Sequence, residues 1–199
     1  MQSPTRLPVE LSEQVLLQAD PSTLVSLCGT SLQYRSICSG PSFWRIRFEQ
    51  EGLPLLEQGN TAQDWIRIYQ KSRRVAQLVE SYLEEEGERI SFQQINLDEL
   101  TKVAPWLTEA YISHQQQTQE LLRQGQILEE ENAPKDLLDD IDAALAAIPE
   151  YSLIVRHQGN TYALDALFHT PIERDYDFST IANNLTPDEA FDLLFTLLY

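Results

Sequence analysis

The sequence predicts a mostly α-helical protein carrying one β-hairpin, on three observations. Apolar residues recur at helical spacing through most of the chain. Asp-Pro, Gly-Pro and Thr-Pro pairs cut that pattern into capped segments. One stretch, 151–166, changes its apolar period from 3.6 to 2 around a Gly-Asn pair.

Pro8 suits the first turn of a helix, where a missing N–H costs nothing. That first helix runs to about Ala19. On a wheel of ~100° per residue, Val9, Leu11, Val15, Leu16, Leu17 and Ala19 spread over roughly two thirds of the circumference, against the ~100° stripe of a helix covering a single core. Leu11, Val15 and Ala19 share one side; Val9 and Leu16 lie on another. One side should serve the protein's own core and the other should remain for a partner. Asp20 and Pro21 fit the N-cap and first position of a second helix, with Leu24, Leu27 and Cys28 on one face. Thr30-Ser31 caps a third, striped by Tyr34, Ile37 and Cys38. After Gly40-Pro41 a short fourth helix pairs Phe43 with Ile46 and Trp44 with Phe48. About fifty residues do not close a core around this much apolar surface unaided.

Beyond the break at 56–61, Thr61 and Asp64 begin the clearest helix, with Trp65, Ile68, Tyr69, Val75, Ala76, Val79, Tyr82 and Leu83 on one stripe. Arg67, Lys71 and Arg74 line the opposite side, either as a solvated face or as a strip for docking on an acidic surface. Asn96 with Glu99 resembles a capping box, and Pro105 ends one helix and opens the next. An acidic loop at 129–132 leads to a helix over 135–148. In the hairpin, Gly159-Asn160 fits a type II′ turn, which sets Val155 opposite Leu164 and His157 opposite Tyr162. Thr186, Pro187 and Glu189 then cap a C-terminal helix.

The formal charge of −17 argues against a nucleic-acid or anionic-membrane binder, because neutralising phosphates needs Lys and Arg in excess. Residues 1–60 hold four basic and six acidic side chains, and residues 61–199 hold ten and twenty-five. With the break before Thr61, this shift suggests two domains, 1–56 and an acidic 57–199. No secretory signal pattern opens the chain, and no apolar run reaches the ~18 residues of a membrane span. Cys28 and Cys38, set among Leu and Ile, read as buried free thiols of an intracellular protein.

In order along the chain, Leu7-Pro8-x-Glu10-Leu11, Val15-Leu16, Asp20, Leu24, Leu27, Tyr34-Arg35, Ile37 and Phe43-Trp44 resemble an F-box, the adaptor-binding motif of SCF-type cullin-RING ubiquitin ligases. The resemblance covers about 45 residues, and the wording of 26–44 is closer to F-box proteins of large DNA viruses of amoebae than to vertebrate ones. It implies a three-helix N-terminal F-box followed by a helical α+β module with the hairpin. It also implies that Leu7, Pro8, Glu10, Leu11, Leu16, Leu24, Leu27, Ile37 and Trp44 dock on a Skp-type adaptor and through it on a cullin. The module 57–199 would then present an unknown protein target for ubiquitination, in the cytoplasm or nucleus, of a host cell if viral. No cofactor, metal, nucleic acid or membrane is implied. A structural or virion-associated protein that reuses the same fold for assembly is the alternative.

Chemistry on this chain is not expected. His114, His157 and His169 have no metal-ligand spacing. There is no GxSxG, no phosphate-cradling glycine loop and no setting for a nucleophilic cysteine. Acidic pairs such as Asp139-Asp140 sit on a polar helix face, where they solvate it.

Overall fold

The computed structural model describes residues 7–170 and 176–199. The chain divides into two compact units, 1–78 and 79–199.

The first unit is helical. Helix α1 (Val9–Gln18) starts from Pro8, α2 (Pro21–Thr30) from Asp20, α3 (Leu32–Cys38) from Ser31 and α4 (Pro41–Gln50) from Gly40. The caps act as their residue types require. The Asp20 carboxylate accepts the Ser22 hydroxyl and the Ser22 and Thr23 N–H groups, and hydrogen bonding by the Ser22 hydroxyl first, then by Thr23, holds its pKa well below the usual carboxylate range. Ser31 accepts from the Tyr34 N–H at 3.1 Å. Helix α5 (Ala62–Glu84) begins where Asp64 and Thr61 exchange hydrogen bonds.

The core of this unit unites both sides of the break at 56–61. Leu16, Leu24, Phe43, Trp44 and Phe48 pack with Trp65, Ile68 and Tyr69 of α5, and all are almost fully buried. The Trp44 and Trp65 rings stack at 6.1 Å, and Tyr69 lies 5.4 Å from Trp44 and 5.8 Å from Phe48. The Trp44 indole N–H donates to the Cys38 carbonyl at 2.6 Å. The turn before α5 needs Gly59, because a Cβ there would lie 2.9 Å from the Trp65 ring and backbone nitrogen. The core thus reaches past the break at 56–61, and the compact units divide at 78/79. The first four helices lack enough apolar cover of their own, and the front of α5 supplies it.

Cys28 and Cys38 are joined in a disulfide between α2 and α3, with Cα atoms 5.8 Å apart. This corrects the reading as free thiols. The two helices fold back on each other around Ser31 and bring the side chains together inside the core, at a Cα separation that a bridge spans.

The second unit holds the rest. After Val79 and Tyr82, both buried, come β1 (Arg89–Ser91), a 3₁₀ turn (Phe92–Gln94), α6 (Leu97–Val103), α7 (Pro105–Glu130) and α8 (Lys135–Ala146). Strands β2 (Glu150–Gln158), β3 (Thr161–His169) and β4 (Asp177–Leu185) follow, then α9 (Pro187–Leu198). The mostly helical class stands, with nine α-helices among the described residues. The hairpin forms in the expected register, Val155 opposite Leu164 and His157 opposite Tyr162, around Gly159 at φ +70°. It is not alone: β1 and β4 flank it in a four-stranded antiparallel sheet ordered β1-β2-β3-β4. Two strands by themselves are marginal in water, and the added neighbours satisfy their outer backbone groups. The hairpin therefore supplies the centre of the sheet, and β4 takes one of its edges. Leu153, Val155, Leu164 and Ala166 are buried on one face, against which α9 sets Ala190 and Leu194. The capping box of α9 is present in both directions.

Two outcomes follow. A chain starting at residue 57 should bind an apolar dye strongly through Trp65, Ile68 and Tyr69, while one starting at residue 79 should not; equal dye binding would place the division elsewhere. Thiol titration of denatured, unreduced protein should find no free cysteine. Reduction should lower the melting temperature, because a bridge closing a loop of this size contributes about 2–3 kcal/mol.

Candidate functional site

The residues expected to dock a partner separate into two groups. Leu7, Pro8, Glu10 and Leu11 are exposed around the start of α1, with Leu7 and Leu11 49% and 47% accessible. Leu16, Leu24 and Trp44 are fully buried in the first unit's core, and Leu27 and Ile37 are half-buried against it. Leu16, Leu24 and Trp44 are thus core residues and present no surface to a partner.

The inward side of α1 is the one with Leu16. Ser12, one turn earlier, is buried beside it. A serine sits inside because its hydroxyl accepts from the Gln33 side-chain amide at 2.9 Å. The same amide donates to the Leu7 carbonyl at 2.8 Å, so Gln33 fastens the entry to α1 onto α3. Leu11 and Val15 consequently face outward, as does Val9 on the other flank of the helix. Apolar periodicity alone does not reveal this arrangement, since the inward stripe contains a polar residue.

The residues on the Val9 flank line a groove, while Leu11 and Val15 are exposed on another side of α1. Leu7, Pro8 and Val9 face Leu32, Gln33 and Ile37 across a groove of about 470 Å³. Leu32 is 77% exposed at the first position of α3, the most exposed large apolar side chain among the described residues. Its signal in the sequence was a leucine next to a cap with no partner on the Tyr34/Ile37/Cys38 stripe. Glu10 lies in the first turn of α1, where a carboxylate is favoured by the helix dipole.

A buried polar knot ties the other end of α1 to α4 and α5. The Arg47 guanidinium, 6% exposed, donates to the Leu17 carbonyl at the end of α1, to the Tyr69 hydroxyl at 3.2 Å and to Glu51. Tyr69 in turn donates to Glu51 at 2.6 Å. Burial, with the Glu51 carboxylate adding to it, pushes the Tyr69 hydroxyl up to about 12 against the opposing pull of Arg47.

The second unit has a polar cleft of about 360 Å³ walled by Phe92, Tyr111, Gln115 and Tyr151. His114 is hydrogen-bonded through Nδ1 to the Tyr151 hydroxyl, His157 bonds the Leu83 carbonyl, and His169 stacks on Tyr176. The three histidines are separated and each is occupied structurally. Asp165, fully buried in β3, is paired with Arg156 of β2. Burial would raise its pKa, but the Arg156 pair and hydrogen bonding prevail and lower it. Among the described residues, no group of three or more His, Cys, Asp or Glu could hold a metal ion. No helix there is long and apolar enough to cross a membrane.

No protein-family model matches the chain, and neither does any curated protein or solved structure.

The Tyr69 knot has a measurable signature. A hydroxyl with a raised pKa adds stability that is whole below its ordinary value of 10.0 and drains away as pH climbs through about 12. Denaturant midpoints across that window should fall for the native chain and fall less for Tyr69→Phe. Parallel curves would remove Tyr69 from the knot.

Proposed function

We propose that the chain is an F-box-type adaptor: its first unit docks on a Skp-type subunit of a cullin-RING ubiquitin ligase, and its acidic second unit presents a protein target. The observation that carries this reading is the exposed apolar surface of Leu7, Val9, Leu11, Val15 and Leu32, on the segment whose ordered motif resembles an F-box. Leu7, Val9 and Leu32 meet across one groove, and apolar residues gathered in that way on an exposed face mark an interaction surface. The mechanism is tethering. Holding a target beside the ligase raises its effective concentration, and no bond is made or broken on this chain. Such an adaptor works in the cytoplasm or nucleus, where reducing conditions would hold Cys28 and Cys38 as a buried dithiol.

The second reading, a structural or virion-associated protein using the same surface for assembly, has one observation in its favour. The Cys28–Cys38 bridge suits a chain that functions outside a reducing compartment.

Titration of the folded chain with a purified Skp-type adaptor tests the first reading. Leu7→Asp with Leu11→Asp should weaken binding by roughly 30-fold or more, the scale of a ~2 kcal/mol hot spot. Its melting temperature should barely move, because exposed substitutions cost within about 0.5 kcal/mol. Leu16→Ala should do the reverse, costing about 2–5 kcal/mol of stability. Undiminished adaptor binding by the Leu7/Leu11 variant, or no binding by the native chain, would end the adaptor reading. Concentration-dependent self-association lost in that same variant would establish the assembly reading instead.

A further inference from the structure

A second surface of the first unit has a different chemistry. Between α2 and α5 lies a hollow of about 480 Å³, with Pro21 and Val25 on one wall and Gln70, Arg73, Arg74 and Gln77 on the other. The last four stand at i, i+3, i+4 and i+7 of α5, so they form one stripe along a single face. Every one is a hydrogen-bond donor, and two are cationic.

The stripe is unsatisfied from within. The Gln70, Arg74 and Gln77 side chains make no hydrogen bond or ion pair among the described residues. Arg73 reaches Glu51 through Nε at 3.4 Å, but that carboxylate also receives Arg47 and Tyr69. Glu51 is thus shared by two arginines, and Arg74 adds a further positive charge. Asp20, at the start of α2, spends its carboxylate on the N–H groups of its own helix. The local excess is positive in a chain whose formal charge is −17.

We propose that this groove binds an acidic peptide segment of a partner protein in extended form. Seven residues of helix span about 10 Å at 1.5 Å each, the length of roughly three residues of extended chain at ~3.3 Å each. Arginines in the middle of the stripe suit one or two Asp or Glu carboxylates, which they can take bidentately. Glutamines at both ends can bond peptide carbonyls, and Pro21 with Val25 gives an apolar side chain a place to rest. A lone phosphate would use the two arginines and leave both ends of the stripe idle. The groove is made of other residues than Leu7, Val9, Leu11, Val15 and Leu32, so it stands or falls independently of the adaptor reading.

The test uses the full chain and a fluorescein-labelled peptide in which Glu alternates with Leu, read by anisotropy at low and physiological salt. Peptides with Gln or Lys in place of Glu serve as comparisons. The Glu peptide should bind saturably, more tightly than the Gln peptide and far more tightly than the Lys peptide, and should weaken as salt rises. Arg74→Glu should lower its affinity by roughly tenfold or more with an unchanged melting temperature, since Arg74 holds nothing else in place. Arg74→Lys should retain most of the binding. Gln70→Glu, at the far end of the stripe, should weaken binding independently. The proposal is overturned by equal affinity for the Lys peptide, by absence of saturation, or by native-like affinity in both Glu variants. Complete displacement by inorganic phosphate, where chloride of matched ionic strength does not displace, would also overturn it, as the groove would then be a simple anion site.

Discussion

Arg47 is the residue on which the first unit turns. It is a cation almost wholly removed from water, and such a charge is tolerated only when its donors are occupied. Its partners come from three places in the chain: the carbonyl at the end of α1, the Tyr69 hydroxyl in the middle of α5, and Glu51 just after α4. Together they offset the cost of burying the guanidinium, which left unpaired would exceed that of a lost surface contact. The front of α5 is therefore held to the first four helices by a polar constraint as well as by the Trp44–Trp65 stack. The inward side of α1 follows, since the end that delivers the Leu17 carbonyl also delivers Leu16 to the core.

The electrostatics divide at the same place as the fold. Residues 1–78 carry eight basic and seven acidic side chains, a net of +1, while 79–199 carry six and twenty-four, a net of −18. The contrast is sharper than the one drawn at residue 60, because Arg67, Lys71, Arg73 and Arg74 belong with the first unit. Lys71 pairs with Glu57 at 2.9 Å, so part of the basic strip holds the chain entering α5 and part faces the α2 groove. One helix thus offers different chemistry on different faces. A partner of the first unit meets apolar groups around α1 and α3 and donors along α5; a partner of the second meets carboxylates.

The disulfide bears on the assembly reading through stability, since the adaptor reading places these cysteines in a reducing compartment. It ties α2 to α3, the helix that presents Leu32 and whose Gln33 holds the entry to α1. The outward apolar surface is therefore built on elements cross-linked from behind, which lowers the freedom a docking partner would otherwise have to remove. Exposed Leu and Val side chains on a rigid base are suited to a preformed interface.

The sequence by itself determined the local structure wherever neighbours along the chain decide it. Asp20-Pro21, Ser31 and Thr186-Pro187-x-Glu189 start helices where expected, because a cap bonds N–H groups two or three residues away. The Gly159-Asn160 turn set the hairpin register for the same reason. Strand β4 was not legible: it reads DFSTIANNL, alternates poorly in burial and bulges near Leu164. Its place depends on an open edge of β3, which no local pattern announces. Among the docking residues, exposure at Leu7 and Leu11 and burial at Leu16 were beyond the wheel. Apolar periodicity counts greasy positions, and it does not see that Ser12 is welcome inside once Gln33 satisfies it. The pairing of Cys28 with Cys38, the reach of the first core into α5 and the donor stripe facing α2 were likewise decided in three dimensions. Each depends on two segments meeting that the chain holds apart.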